Sequence, residues 1–115
     1  MQTFQNYIAG EWVDATSQAT FENRNPADTT DVIGTFPLAT VEDVERAIES
    51  ANSALPTWAA LPPPARGVIL DKVAQVLEAR QDEFAKALTR EEGKTLSEAK
   101  GEVLDRKSTR LNSSH

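Results

Sequence analysis

The sequence predicts an α/β chain in which short β-strands are followed by four helices. Two observations predict this order. Before residue 40, β-branched and aromatic residues occur in short runs separated by turn-forming residues, a pattern typical of strands. From Thr40 onward, apolar residues recur with the period of a helix, and proline or glycine marks the boundaries between periodic segments.

The first third of the chain predicts a strand pair and a third strand. In NYIAGEWV, apolar residues flank Ala9 and Gly10, which favours a tight turn between two strand pieces. The stretch TFENRNP is predicted to be extended, because Pro26 disfavours helix at Asn25 and lacks the donor that a strand ladder needs. DATSQAT is predicted to be a polar loop. The polar stretch ADTTD is followed by VIGTF, whose β-branched and aromatic residues suit a third strand.

The first predicted helix begins after Thr40, which is expected to cap it. Glu42 and Asp43 lie in its first turn, where their negative charges interact favourably with the positive end of the helix dipole. One face, within an arc of roughly 140°, is apolar and is predicted to be buried: Val41, Val44, Ala47, Ile48, Ala51, Ala54 and Leu55. Pro56 is expected to end this helix, with TWAALPPPAR forming a rigid corner after it.

Three further helices are predicted. The second covers residues 65–80 after Pro64, and its apolar residues span an arc of roughly 200°, wider than a surface helix needs, so it is expected to pack on more than one side. The third covers residues 81–92 and ends at Gly93. Thr95 and Glu98 form the capping box of the fourth, LSEAKGEV.

Composition excludes several classes of function. A hydrophobic content of 39% and a charged content of 26% are typical of a globular domain. No run approaches the roughly 20 apolar residues of a membrane span, and no signal peptide opens the chain, so we expect a cytoplasmic protein without a membrane partner. The net charge of the chain is −6. Residues 105–115 carry a charge of +2, so residues 1–104 carry −8. Such an acidic segment repels the phosphate backbone, which disfavours nucleic acid as a partner.

No catalytic or cofactor-binding residue can be assigned within the chain. Cysteine is absent, and the single histidine, His115, is the terminal residue. The pairs Asp82–Glu83 and Glu91–Glu92 point about 100° apart on a helix, so they do not share a proton. The glycines do not form a phosphate-binding spacing. Two tryptophans, Trp12 and Trp58, are interpreted as core anchors rather than binding-site aromatics.

Five short motifs occur in a fixed order along the chain. They are an I-x-G-x-W hairpin, an N-P pair, a D-V-x-x-A-[VI] helix, a tryptophan before an R-x-x-[IL]-L helix, and an E-x-G-K-x-x-x-E-[AS] turn. In this sequence these are Ile8, Gly10, Trp12; Asn25, Pro26; Asp43, Val44, Ala47, Ile48; Trp58, Arg66, Ile69, Leu70; and Glu91, Gly93, Lys94, Glu98, Ala99. In this order the motifs resemble the amino-terminal segment of the aldehyde dehydrogenase superfamily. The segment TREEGKTLSEAKGEV is most similar to members that oxidise α-ketoglutarate semialdehyde.

The resemblance implies a truncated amino-terminal part of a Rossmann-like cofactor domain, in which later residues contribute the parallel sheet. The parent would oxidise a small-molecule aldehyde to a carboxylate with NAD or NADP, as a homodimer or homotetramer. In the family, a cysteine thiolate attacks the aldehyde, hydride passes to the nicotinamide, and a glutamate activates the hydrolytic water. Those residues lie downstream in the family, so the fragment alone is expected to be inactive.

The resemblance also implies a monovalent cation site, for K⁺ or Na⁺. Several family members hold such an ion between the backbone just before the N-P pair and a carboxylate just before the G-K pair. The matching positions are the carbonyls of Asn23 and Arg24 and the carboxylate of Glu91. Many relatives have aspartate at the last position, and a helix-end glutamate in water is the competing interpretation.

The domain assignment is a partial aldehyde dehydrogenase domain over residues 1–104 and a non-native tail over residues 105–115. The tail, DRKSTRLNSSH, matches one reading frame of a widely used DNA sequencing adapter residue for residue, and it is expected to be disordered or helical by accident. Two alternatives stay open for residues 1–104: a stand-alone helical interaction module, and a regulatory or oligomerisation domain without a catalytic half.

Overall fold

The computed structural model describes residues 1–113, with side chains up to Asp105, and it confirms an order of short strands followed by four helices. The chain divides into two compact units. The first contains Met1–Arg24 and Thr30–Ala60, and the second contains Asn25–Thr29 and the residues from Leu61 onward. The elements are β1 Asn6–Ile8, β2 Glu11–Val13, β3 Thr20–Asn25, β4 Asp28–Pro37, α1 Val41–Ala60, α2 Pro63–Ala79, α3 Gln81–Glu92 and α4 Leu96–Ser113.

The predicted tight turn between β1 and β2 is confirmed. The two strands pair antiparallel, with Ile8 opposite Glu11, so Ala9 and Gly10 form a two-residue loop. Both have positive φ angles, 54° and 82°, which is the geometry of a type I′ turn and matches the twist of a hairpin. Glycine adopts that geometry without strain, whereas Ala9 carries a Cβ in the left-handed region.

The amino-terminal residues add a short parallel pairing to β4. The Phe4 N–H donates to the Thr35 carbonyl at 2.9 Å, and the Thr35 N–H donates to the Gln2 carbonyl at 3.0 Å. Both bonds are made by Thr35, and Gly34 directly precedes it on β4. A Cβ at Gly34 would lie 2.5 Å from the Gln2 carbonyl oxygen and 2.7 Å from the Phe4 ring. Only glycine therefore allows this close approach.

Aromatic rings support the same pairing. Phe4 and Phe36 stack with their ring centroids 4.6 Å apart and their planes 5° from parallel. The ring centroid of Phe21 in β3 lies 5.9 Å from that of Phe36, and the two ring planes are inclined by 29°. These rings join the amino-terminal segment, β3 and β4 on one surface, because offset-stacked aromatic pairs contribute beyond the area they bury.

β4 begins four residues before the predicted strand VIGTF, so it includes most of the polar stretch ADTTD. The turn consists of Pro26 and Ala27 alone, and β4 begins at Asp28. The reason is the side chain of Asn25, whose Oδ1 accepts the Ala27 backbone N–H at 2.9 Å. This bond closes the turn within two residues, so the segment after it continues as strand.

Pro56 does not end the first helix, so that prediction was wrong. α1 continues through Pro56 to Ala60. A proline removes one backbone hydrogen bond and crowds the preceding turn, but its fixed φ is close to that of a helix, so the chain can remain helical beyond it. The break falls at Leu61 and Pro62, and α2 begins at Pro63, with prolines in its first turn as expected of residues that need no donor.

The predicted buried face of α1 is largely exposed in this chain. The exposed fractions are 75% for Val41, 51% for Val44, 55% for Ile48 and 57% for Leu55. The tryptophans also contradict their interpretation as core anchors: Trp12 is 65% exposed and packs edge-on against Tyr7, and Trp58 is 38% exposed. This face of α1 is apolar as predicted, but the residues that the structure describes do not cover it.

The second unit packs its helices around small side chains. α3 and α4 enclose a cluster of Ala85, Ala99 and Val103, with Phe84 and Leu88 packed against it. Alanine at Ala85 and Ala99, both fully buried, lets the helix backbones approach closely. None of the described side chains larger than these is fully buried. The described helices include none that is long and apolar enough to cross a bilayer.

The predicted boundaries of α3 and the start of α4 are confirmed. α3 covers Gln81–Glu92, and Gly93 follows it in the left-handed conformation with φ of 75°. The Glu98 backbone N–H donates to Thr95 Oγ1 at 3.3 Å, which is one half of the predicted capping box. α4 then continues to Ser113, through most of the segment predicted to be a non-native tail, while His115 lies outside the described residues.

Candidate functional site

The residues of the predicted cation site lie on two elements. Asn23 and Arg24 are in the last half of β3, in the first compact unit. Glu91 is in the last turn of α3, in the second unit. Each of the three has an interaction partner in the structure. The structure thus brings Asn23 next to Arg24, and the site that would add Glu91 stays a prediction.

The segment after Glu91 is held by a backbone cap. The Gly93 N–H donates to the Thr89 carbonyl at 2.8 Å, which satisfies one of the last carbonyls of α3. A Cβ at Gly93 would lie 3.1 Å from the Ala27 nitrogen and 3.1 Å from Pro26 Cγ, so the turn after β3 rests directly on this glycine. Gly93 therefore has two roles: it permits the left-handed cap, and it leaves room for the Pro26–Ala27 turn.

Lys94 forms a partly buried ion-pair cluster close in sequence to Glu91. Its side chain is 19% exposed, and its ammonium group contacts the Glu92 carboxylate at 2.6 Å and also the Glu102 carboxylate on α4. The hydrogen bonds that Lys94 donates to Glu102 and, to a smaller extent, to Glu92 raise the pKa of Lys94. A lysine held in this way is fully protonated at neutral pH, so it links the α3–α4 turn to α4 and is unsuited to act as a base.

A second polar network lies at the start of α1, where the predicted cap by Thr40 is confirmed, whereas the hydrogen bonds accepted by Asp43 were not predicted from the sequence. Asp43 is 4% exposed, and its carboxylate accepts the Thr40 backbone N–H at 2.8 Å and the Thr16 backbone N–H at 3.2 Å. The Thr40 N–H makes the largest contribution to a lowered pKa of Asp43, and the Thr16 N–H adds to it. In return, Thr40 Oγ1 accepts the Asp43 N–H at 3.3 Å.

This network is a capping box with an added loop contact, because Thr40 and Asp43 satisfy each other's backbone donors across the first turn of α1. The signal in the sequence is the spacing T-x-x-D, which resembles the usual T-x-x-E box. The carboxylate also fastens the loop after β2, through Thr16, to the start of α1. All of its acceptor atoms face protein donors, so the geometry indicates a structural role for Asp43.

A surface depression lies at the corner between α2 and α3. It has a volume of about 370 Å³ and is lined by residues 78–83. Its cation, Arg80, forms a two-bond ion pair with Glu83, at 2.5 and 2.9 Å, and covers the Phe84 ring at 4.7 Å. The positive charge is thereby neutralised within the corner, so this depression lacks the free charge that an anionic ligand would require.

The described residues include no cluster of three or more histidine, cysteine, aspartate or glutamate residues suited to a metal ion. The sequence has no cysteine, and its glycines do not form a phosphate-binding spacing. What the chain offers is a set of helices with well-formed ends and uncovered apolar faces.

Comparison with known proteins identifies what these helices belong to. A model of the aldehyde dehydrogenase family matches residues 12–110, which is most of the chain. The chain belongs to the aldehyde dehydrogenase family. The resemblance inferred from the five motifs is therefore confirmed, and the match extends six residues into the predicted tail.

The relatives of this aldehyde dehydrogenase chain include several semialdehyde dehydrogenases. The α-ketoglutaric semialdehyde dehydrogenase of Bacillus subtilis is 47% identical over 101 residues, which cover 88% of this chain and 21% of that protein. The malonate-semialdehyde dehydrogenase of Bacillus pumilus is 45% identical over 103 residues, which cover 90% of this chain and 21% of that protein. The semialdehyde resemblance is thus confirmed as a similarity.

Solved structures agree with this assignment. The crystal structure of an NAD-dependent aldehyde dehydrogenase from Sinorhizobium meliloti matches with a TM-score of 0.84 and 33% identity, covering 89% of this chain and 21% of that one. The chain therefore spans about a fifth of the length of the relatives it matches. The fold predicted for it, an amino-terminal piece of an aldehyde dehydrogenase, is confirmed.

Proposed function

We propose that this chain is the amino-terminal part of an NAD(P)-dependent aldehyde dehydrogenase that oxidises α-ketoglutarate semialdehyde to a carboxylate. The observation that carries the proposal is the family match over residues 12–110, together with relatives of whose length the matched segment covers about a fifth. The substrate is supported by the 47% identity to an α-ketoglutaric semialdehyde dehydrogenase, and the cofactor by a structural neighbour described as NAD-dependent.

The contribution of this chain to that reaction is structural. Because it has no cysteine and no phosphate loop, the thiolate nucleophile, the oxyanion donors and the cofactor site come from the remaining four-fifths of the enzyme. When bound, NAD or NADP supplies the hydride acceptor. The residues described here hold helix ends and turns in place: Asp43 at the start of α1, and Gly93 and Lys94 between α3 and α4.

The test is the complete protein encoded by the source gene. We expect it to reduce NAD⁺ or NADP⁺ in the presence of α-ketoglutarate semialdehyde, with a kcat/KM at least tenfold higher than for malonate semialdehyde. The 115-residue chain is the matched control and should show no turnover. Equal or better use of malonate semialdehyde would contradict the substrate, and a reading frame that ends without a downstream cysteine would contradict the enzyme.

The proposal includes the cation site of Asn23, Arg24 and Glu91. Carbonyl and carboxylate oxygens are hard ligands of the kind that Na⁺ and K⁺ accept. We expect the complete protein to melt at a higher temperature in K⁺ or Na⁺ than in a bulky organic cation, and Glu91→Ala to abolish that difference. Glu45→Ala, which removes an exposed glutamate of α1, is the control. Equal melting in all three cations would contradict the site.

We also propose that residues 105–115 are not native to the enzyme, which would be a cytoplasmic homodimer or homotetramer. The adapter match supports the first part, because it accounts for all eleven residues and for the abrupt loss of apolar periodicity after Val103. Amplification of the source DNA across codon 105 tests it. Adapter codons present in the genome would contradict it, and sedimentation of the complete protein would establish the number of subunits.

A further inference from the structure

We draw no further inference here: the strongest candidate, the exposed apolar face of α1 formed by Val41, Val44, Ile48 and Leu55, is a surface patch for which nothing in the described part of the chain shows what covers it.

Discussion

The close approach at Gly34 provides the sharpest structural prediction. A methyl group in Gly34→Ala would lie 2.5 Å from the Gln2 carbonyl oxygen and 2.7 Å from a carbon of the Phe4 ring. Neither neighbour can move freely, because the Gln2 carbonyl accepts the Thr35 N–H and the Phe4 N–H donates to the Thr35 carbonyl. The substitution must therefore break the pairing or displace it.

The expected cost is about 1–3 kcal/mol, the range for forcing an extra methyl group into a packed site. A change of that size increases the population of the detached amino-terminal segment roughly 5- to 150-fold. The assay is amide hydrogen exchange, followed at the Phe4 and Thr35 N–H groups, since local opening controls the exchange of both.

Gly67→Ala is the matched control. Gly67 lies in α2, and nothing lies within 4 Å of a Cβ added there. Alanine is the better helix former, so this change should stabilise α2 by about 0.5–1 kcal/mol and slow its exchange. Unchanged exchange of Phe4 and Thr35 in Gly34→Ala, or equal effects of the two substitutions, would refute the steric reasoning.

Three further predictions follow from particular contacts. Asp43→Asn should destabilise the first unit. Because the pKa of Asp43 is lowered in the folded state, the stability of the wild type should decline as the pH falls below about 3.8. In acid unfolding experiments, Asp43→Asn should lack this decline. The pKa of Lys94 is raised, so its stabilising contribution should be lost as the pH rises above about 10.5, and Lys94→Met should show a flatter alkaline unfolding profile than wild type. Ala9→Gly should raise the free energy of unfolding of the hairpin by about 1 kcal/mol, because it relieves a left-handed alanine; a decrease measured by hydrogen exchange would contradict this.

Local features of the fold could be predicted from sequence because one or two residues decide them. Gly93 ends α3 in the left-handed conformation, and Ala9 with Gly10 makes the hairpin turn, as predicted. The Pro56 prediction failed because a helix can lose one backbone hydrogen bond and continue. The turn at Asn25 and Pro26 is confirmed, but its length was not predicted, because that depends on a side-chain contact from Asn25 to Ala27 that composition does not reveal.

Burial could be predicted only in part from the sequence. The apolar arcs of α1 and α2 were identified correctly, but an apolar pattern does not show which part of an arc is covered. The interpretation of the tryptophans as core anchors was wrong, since Trp12 is 65% exposed and Trp58 is 38% exposed. The cation ligands Asn23, Arg24 and Glu91 came from resemblance to the family, and their placement on β3 and α3 leaves the site a prediction.

The central claim is that these helices were selected to pack against a larger enzyme that this chain does not contain. Fluorescence titration of the 115-residue chain with a dye that binds exposed apolar surface, together with its light scattering, tests this most directly. The account predicts strong dye binding and concentration-dependent association, as expected from uncovered valine, isoleucine and leucine side chains on α1 and α2. A monomer that unfolds cooperatively and does not bind the dye would contradict it.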